Sequence, residues 1–250
     1  MGWLVWILAF AAVLAAGPLF VLGFGNIELN QHWREADRSS SGLAPRPDEH
    51  RDAVLQLYAA RAYNWRGAFA VHTWIATKPS GSPTYRVYEV TRWDLSTVYS
   101  ETTAPDRVWY GNPPEVLADL RGAEAEPLIE TIAEAAARYP LQHEYRVWPG
   151  PNSNTYTAWL LRQVPELGAE LPPTAIGKDY LVEHRLGLAP MPSGTGYQFS
   201  VGGVFGAGIA WAEGLEITIL GLVVGIDPGD RAIKLPGLGR VGFRRHGPAG

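Results

Sequence analysis

Hydrophobic and polar positions change rhythm repeatedly along the chain, and each change predicts an element. From Gly2 to Gly25 no residue is charged, and Trp3, Leu4, Val5, Trp6, Ile7, Leu8 and Phe10 open an apolar run. Its length suffices to cross a hydrocarbon core of roughly 30 Å as a helix. Trp3 and Trp6 suit a membrane interface, and Pro18 predicts a kink or a boundary. Ala15-Ala16-Gly17 offers small residues to a signal peptidase. The run is nevertheless longer than a usual signal core, continues past that point and lacks a basic start, so an uncleaved transmembrane anchor is expected over residues 1–25. Residues 26–52 lose periodicity, with Ser39-Ser40-Ser41-Gly42 and Pro45-Arg46-Pro47, and read as a tether.

A single globular α+β domain is expected over residues 53–250, built as an antiparallel sheet with a few packed helices. Val54–Tyr58, Ala68–Ala76 and Tyr85–Trp93 read as strands, the last two joined through Pro79-Ser80-Gly81-Ser82-Pro83 as a hairpin. Val108-Trp109-Tyr110 reads as a short strand. Asn112-Pro113-Pro114-Glu115 predicts a helix start running to Gly122, and Leu128, Ile132, Ala136 and Tyr139 lie on one face of a second helix. Glu144–Trp148 is strand-like, and two prolines and a glycine stop it. Asn152, Ser153 and Asn154 then stand as alternative caps of a helix through Tyr156, Trp159, Leu160 and Gln163. Ala175–Leu181 is ambiguous. Residues 197–243 are strand-like and glycine-rich. Val201–Ile226 is apolar enough to raise a second membrane span, but Glu213 and Glu216 favour antiparallel strands, and an apolar sheet face resting on the bilayer is a third reading.

Composition narrows the classes. Ten tryptophans, eleven tyrosines and 46% hydrophobic residues support a real core. The net charge of −4 is spread along the chain, with no basic stripe, so nucleic-acid binding is set aside. With no cysteine at all, a disulfide framework and a cysteine nucleophile are excluded. No motif calls for a metal or another cofactor. Arg240, Arg244 and Arg245 near the C-terminus read as a solvated tail. Arg34 and Arg38 after the anchor argue for a cytoplasmic body. The Pro/Ser-rich spacer argues for delivery outward, and the outward side is the expectation taken forward.

The candidate chemistry is an ordered trio: His72 on one strand, Glu89 on the next, and Ser153 at a helix start. A neutral imidazole can take a hydroxyl proton, a carboxylate can orient its other nitrogen, and backbone N–H groups at a helix start can hold an oxyanion. The plain alternatives are a hydrogen-bonded core histidine, a solvated Glu89 and a Ser153 that only caps the helix. Asn152, Asn154, Trp74 and Trp148 are candidate ligand contacts. Lys178-Asp179 reads as a structural pair.

The segments Phe69–Ile75, Tyr145–Thr155 and Pro173–Asp179 together resemble an uncharacterised bacterial family of membrane-anchored proteins, known only as a domain of unknown function. More remotely, His72 followed by Asn152-Ser153 is similar to the circularly permuted, papain-like amidases of the NlpC type, where a histidine strand precedes an Asn-Cys pair at a helix start. That resemblance implies a permuted papain-like fold. It also implies either a serine-dependent amidase or esterase acting on a peptidoglycan- or lipid-type substrate, or an inactive groove that holds an envelope ligand or a membrane protein partner. The expected location is a bacterial inner membrane, single-pass, with the domain in the periplasm and lipid contacting the N-terminal helix.

Overall fold

The computed structural model describes residues 2–25, 27–29, 32–94 and 100–243. Helix α1 (Gly2–Phe24) is apolar along its whole length and continues through Pro18. It is long and apolar enough to cross a membrane. It is also tied to the rest of the fold, since Leu14, Gly17, Pro18 and Val21 are buried. A Cβ at Gly17 would stand 2.0 Å from the carbonyl oxygen of Pro236, so only glycine allows this approach.

The body is α+β, with two antiparallel sheets. The smaller is built from β1 (Val54–Arg61), β2 (Val71–Lys78), β3 (Tyr85–Tyr88), β4 (Ser100–Thr102) and β5 (Glu115–Arg121), in the order β4-β3-β2-β1-β5. Both of its faces are covered, which explains the unbroken apolar runs of β1 and β2. One face carries Leu55, Leu57, Val71 and Ile75 and packs on α2 (Ala125–Ala137) and α3 (Ser153–Gln163). The other carries Tyr58, Trp74 and Ala76 and is covered by Ala36, Ala44, Trp109 and Tyr110. The stretch read as a tether thus lies on the sheet. Asp106 holds it there, accepting from Ser40 Oγ and from the backbone N–H groups of Leu43 and Ala44.

Several sequence expectations are corrected. Glu115–Arg121 forms a strand rather than a helix, because the free edge of β1 is there to be paired and its backbone hydrogen bonds outweigh local helix signals. Val108-Trp109-Tyr110 is not a strand. Tyr110 (φ 49°) and Gly111 (φ 88°) make a tight turn, with Trp109 and Asn112 exchanging backbone hydrogen bonds. Glu144–Trp148 is irregular. Val201–Ile226 is no helix, so it is not a second helical span. Arg240 is not in a solvated tail, since its guanidinium is buried against Glu170, Asp227 and Asp230. Arg244 and Arg245 lie outside the described residues.

The larger sheet is a meander of β6 (Leu186–Pro190), β7 (Gly196–Val201), β8 (Phe205–Ala210), β9 (Gly214–Ile219), β10 (Leu222–Asp227), β11 (Ala232–Leu235) and β12 (Gly239–Gly242). Its register sorts side chains into rows. Pro190, Tyr197, Ile209, Leu215, Ile226, Ile233 and Val241 stand opposite one another across all the strands. Leu188, Phe199, Ala207, Ile217 and Val224 form the next row, and Leu186, Val201, Phe205, Ile219 and Leu222 the third. This wholly apolar face is the exposed one. The face turned inward carries Gln198, Ser200, Glu216, Thr218, Asp227 and Lys234, all buried. The usual polarity of a one-sided antiparallel sheet is therefore inverted.

Charge pairing makes the inward face tolerable. Lys178 Nζ reaches Asp179 Oδ1 at 2.8 Å and Glu216 Oε2 at 2.6 Å, while Lys234 Nζ takes the other Glu216 oxygen at 2.6 Å. Burial alone would lower the Lys178 pKa, and the two carboxylates override it, holding the ammonium charged. Lys178 and Asp179 are thus part of the join between the smaller sheet's subdomain and the larger sheet.

Candidate functional site

The start of α3 is a lattice of side-chain to backbone bonds. Asn152, not Ser153, is the cap: its Oδ1 accepts from Asn154 N at 3.0 Å and Thr155 N at 3.2 Å, and Thr155 Oγ1 accepts from Asn152 N in return. Asn152 Nδ2 donates to the carbonyls of Val147 and Ile176. Asn154 fastens the helix to β2, donating to Val71 O and accepting from Thr73 Oγ1 at 2.9 Å. Gly177 (φ 104°) leaves no room for a side chain, since a Cβ there would sit 2.3 Å from Asn152 Oδ1. Asn152 and Asn154 are buried, and the hydrogen-bonding groups they use are spent on the fold.

Ser153 is buried in the first turn of α3. Burial pushes the neighbouring Tyr145 phenol up, and interaction with Ser153 pulls part of that back. Trp148 is half exposed and donates from Nε1 to Leu220 O at 2.9 Å, on a turn of the larger sheet.

His72 stands elsewhere. Strand alternation puts Val71, Thr73 and Ile75 toward α3, and His72, Trp74 and Ala76 toward the opposite face. Pairing agrees, since Ala60 lies opposite His72 and Tyr58 opposite Trp74, on the same face. His72 and Ser153 are therefore on opposite sides of the smaller sheet, and no hydrogen bond joins them among the described residues. The structure does bring His72 and Glu89 together, with Nε2 2.8 Å from Glu89 Oε2. The second Glu89 oxygen accepts from Arg107 Nη2. The imidazole is stacked face to face on Trp109, with centroids 3.7 Å apart and planes 9° apart, and it also meets Trp74. Trp74 is anchored by Nε1 donating to Pro105 O at 2.9 Å.

Burial lowers the His72 pKa below its usual value and outweighs Glu89, which pulls it up. At neutral pH the ring is a neutral imidazole, and its Nε2–H donates to the carboxylate. Burial likewise pushes the Glu89 carboxyl up, but the His72 hydrogen bond and the Arg107 charge prevail and hold it below the usual range. Arg107 lies 5.3 Å from the Trp109 ring centroid.

Beside this cluster opens a cavity of about 80 Å³ lined by Arg38, Glu89, Thr91, Trp93, Arg107, Val108, Trp109 and Tyr110. Arg38 lies over the Tyr110 ring, 4.3 Å from its centroid. Among the described residues that line it, two guanidiniums and one carboxylate leave one excess positive charge. Of the residues singled out in the sequence, Trp74, His72 and Glu89 gather at this cluster, whereas Trp148, Asn152, Ser153 and Asn154 do not. The sequence does not mark Arg38, Arg107, Trp109 or Tyr110 as site residues. The local signal there is the Val108-Trp109-Tyr110 run, which reads as a short strand in the sequence.

These features define a two-sheet α+β domain with a buried His–Glu–Arg cluster and an apolar N-terminal helix. The chain belongs to the family described as a protein of unknown function (DUF3750), which it matches over residues 52–180. No curated protein matches it. No solved structure matches it either. The family match covers the smaller sheet, α2, α3 and the His72 cluster, and ends at the Lys178-Asp179 junction with the larger sheet.

Proposed function

We propose that this chain is a membrane-anchored binding protein that holds a small anionic group, a carboxylate or phosphate, in the cavity beside His72, Glu89 and Arg107. In this reading α1 anchors the protein in a bacterial inner membrane and the body faces the periplasm, where the ligand is an envelope component. The papain-like order of histidine strand and Asn-Ser helix persists as a scaffold without the hydrolase chemistry.

The observation that carries the reading is the separation of His72 from Ser153 by the sheet, with His72 Nε2 already committed to Glu89. A serine needs a base in contact with it, and among the described residues no histidine is hydrogen-bonded to this one. The cavity supplies what binding needs: aromatic walls, a fixed carboxylate and a guanidinium at Arg38 whose charge no carboxylate in the cavity offsets. Anchoring is supported by the way α1 is built into the fold at Gly17 and Gly237, an arrangement that a cleaved leader would leave open.

Two measurements test this on the purified full chain. A fluorophosphonate probe should leave the protein unlabelled, and labelling of wild type that is lost in Ser153→Ala would restore the hydrolase. Titration with acetate, inorganic phosphate and glycerol phosphate should change the fluorescence of Trp93 and Trp109 saturably. The Arg38→Gln variant should bind at least ~10-fold more weakly, the scale of one lost charge-assisted contact. Equal affinity in that variant would sink the assignment of the cavity.

A further inference from the structure

Among the described residues, nothing covers the outer face of the larger sheet, whose apolar side chains are largely exposed. Its three rows, read from the strand register, contain no charged residue, while the buried face of the same strands holds Glu216, Asp227 and Lys234. With strands about 4.8 Å apart and residues about 3.4 Å along each, the three rows cover roughly 19 Å by 17 Å over β6–β10, and one row continues across β11 and β12. That is the size of the largest apolar patches found on water-soluble monomers, which are often functional. A sheet that sends its charges inward and its aliphatic side chains outward is built for surroundings other than water.

Helix α1 identifies those surroundings. It packs against the turn between β11 and β12, where Gly17 meets Pro236 and Pro18 meets Gly237. Arg61 Nη1 locks the same turn by donating to Gly237 O at 2.6 Å. Residues 2–13 are exposed, whereas Leu14, Gly17, Pro18 and Val21 are occupied by the body. The twelve free residues reach about 18 Å, well short of a hydrocarbon core of roughly 30 Å. A span therefore takes in the part of α1 that is docked to the larger sheet, and the end of that sheet enters the apolar layer with it. Trp211, exposed on the turn between β8 and β9, and Tyr197 on the outer face are the residue types favoured at the boundary between lipid and water.

We infer that the outer face of the larger sheet lies against lipid acyl chains, so that the protein is held by one helix and one sheet face together. This inference rests on α1 being a membrane span. Because the chain contains no cysteine, single labelling sites can be introduced cleanly. Full-length Ile217→Cys and Phe199→Cys (outer face), Phe10→Cys (α1) and Glu134→Cys (exposed on α2) would each carry an environment-sensitive dye. They would be reconstituted in vesicles of phosphatidylcholine and phosphatidylglycerol, with or without nitroxide on the acyl chains. Labels at 217, 199 and 10 should be blue-shifted, quenched by the nitroxide lipid and protected from iodide, with the label at 134 showing the reverse. Quenching at 10, with 217 and 199 behaving like 134, would overturn the inference and leave the anchor standing. Protection from iodide without nitroxide quenching at 217 and 199 would overturn it in favour of a second copy or a protein partner. No quenching at 10 would remove the anchor and the inference together.

Discussion

Protonating His72 creates a cation between Trp74 and Trp109, beside a Glu89 already shared with Arg107. The folded-state pKa of His72 lies below the usual 6.5, because burial disfavours the charged ring. The unfolded chain therefore takes up that proton first, and stability falls as pH drops below about 6.5. Glu89 acts in the same direction at lower pH. Its folded pKa is depressed below 4.5, so its contribution is present above that value and is lost as pH falls through the folded one. Urea unfolding across a pH series should show stability declining from pH 6.5 toward pH 5, and His72→Gln should flatten that decline. An unchanged slope in the variant would mean that the ring is not held neutral. At this scale the sequence showed part of the site. A histidine and a glutamate on adjacent strands are legible as partners, since both sit in runs with clear strand character. Arg107 was not legible, because no local spacing links it to β2. It reaches Glu89 from the segment leading into the Tyr110-Gly111 turn, whose positive φ values place Trp109 over the imidazole.

The helix start at Asn152 shows how one motif serves structure where a sequence reading sees a nucleophile. Small polar residues after a Pro-Gly-Pro stop are equally suited to capping and to catalysis, and which one applies depends on what the neighbouring strand presents. Here β2 presents Thr73 and the Val71 carbonyl, and Asn154 answers both. Asn152→Ala removes a cap and the Asn152 donor to the Val147 carbonyl, while Asn154 still donates to Ile176 O, so it should cost about 2 kcal/mol in chemical denaturation. Ser153→Ala should cost about 1 kcal/mol, since the capping bonds are made by its neighbours and only its side-chain contact with Tyr145 is lost. A reversed order of the two losses would show that the serine, not the asparagine, organises the motif. The same dependence on neighbours explains the strand at Glu115–Arg121. Its caps and prolines imitate a helix start, and only the unpaired edge of β1 converts it into β5.

Over the whole molecule, two sheets meet through charges instead of a continuous apolar core. That residues 197–243 form strands was legible from their alternation; which face turns inward was not. Alternation alone assigns the apolar side to the core, and here the opposite holds because Lys178, Asp179 and Glu170 on the preceding segment wait for Glu216, Lys234 and Arg240 on the sheet. Glu216 is the centre of that join, with one oxygen on each lysine, and it is buried. Glu216→Ala leaves Lys234 to Glu170 alone and Lys178 to Asp179 alone, inside a closed interface. Loss of one partner from a buried network costs about 3–5 kcal/mol. The variant should therefore unfold at markedly lower urea in detergent micelles, and limited proteolysis should cut first between residues 180 and 186, where the chain enters the larger sheet. Because the charges are shielded from solvent, raising the salt concentration should change wild-type stability little. A variant of unchanged stability, or a wild type that salt loosens strongly, would mean that the sheets are held by something other than this network.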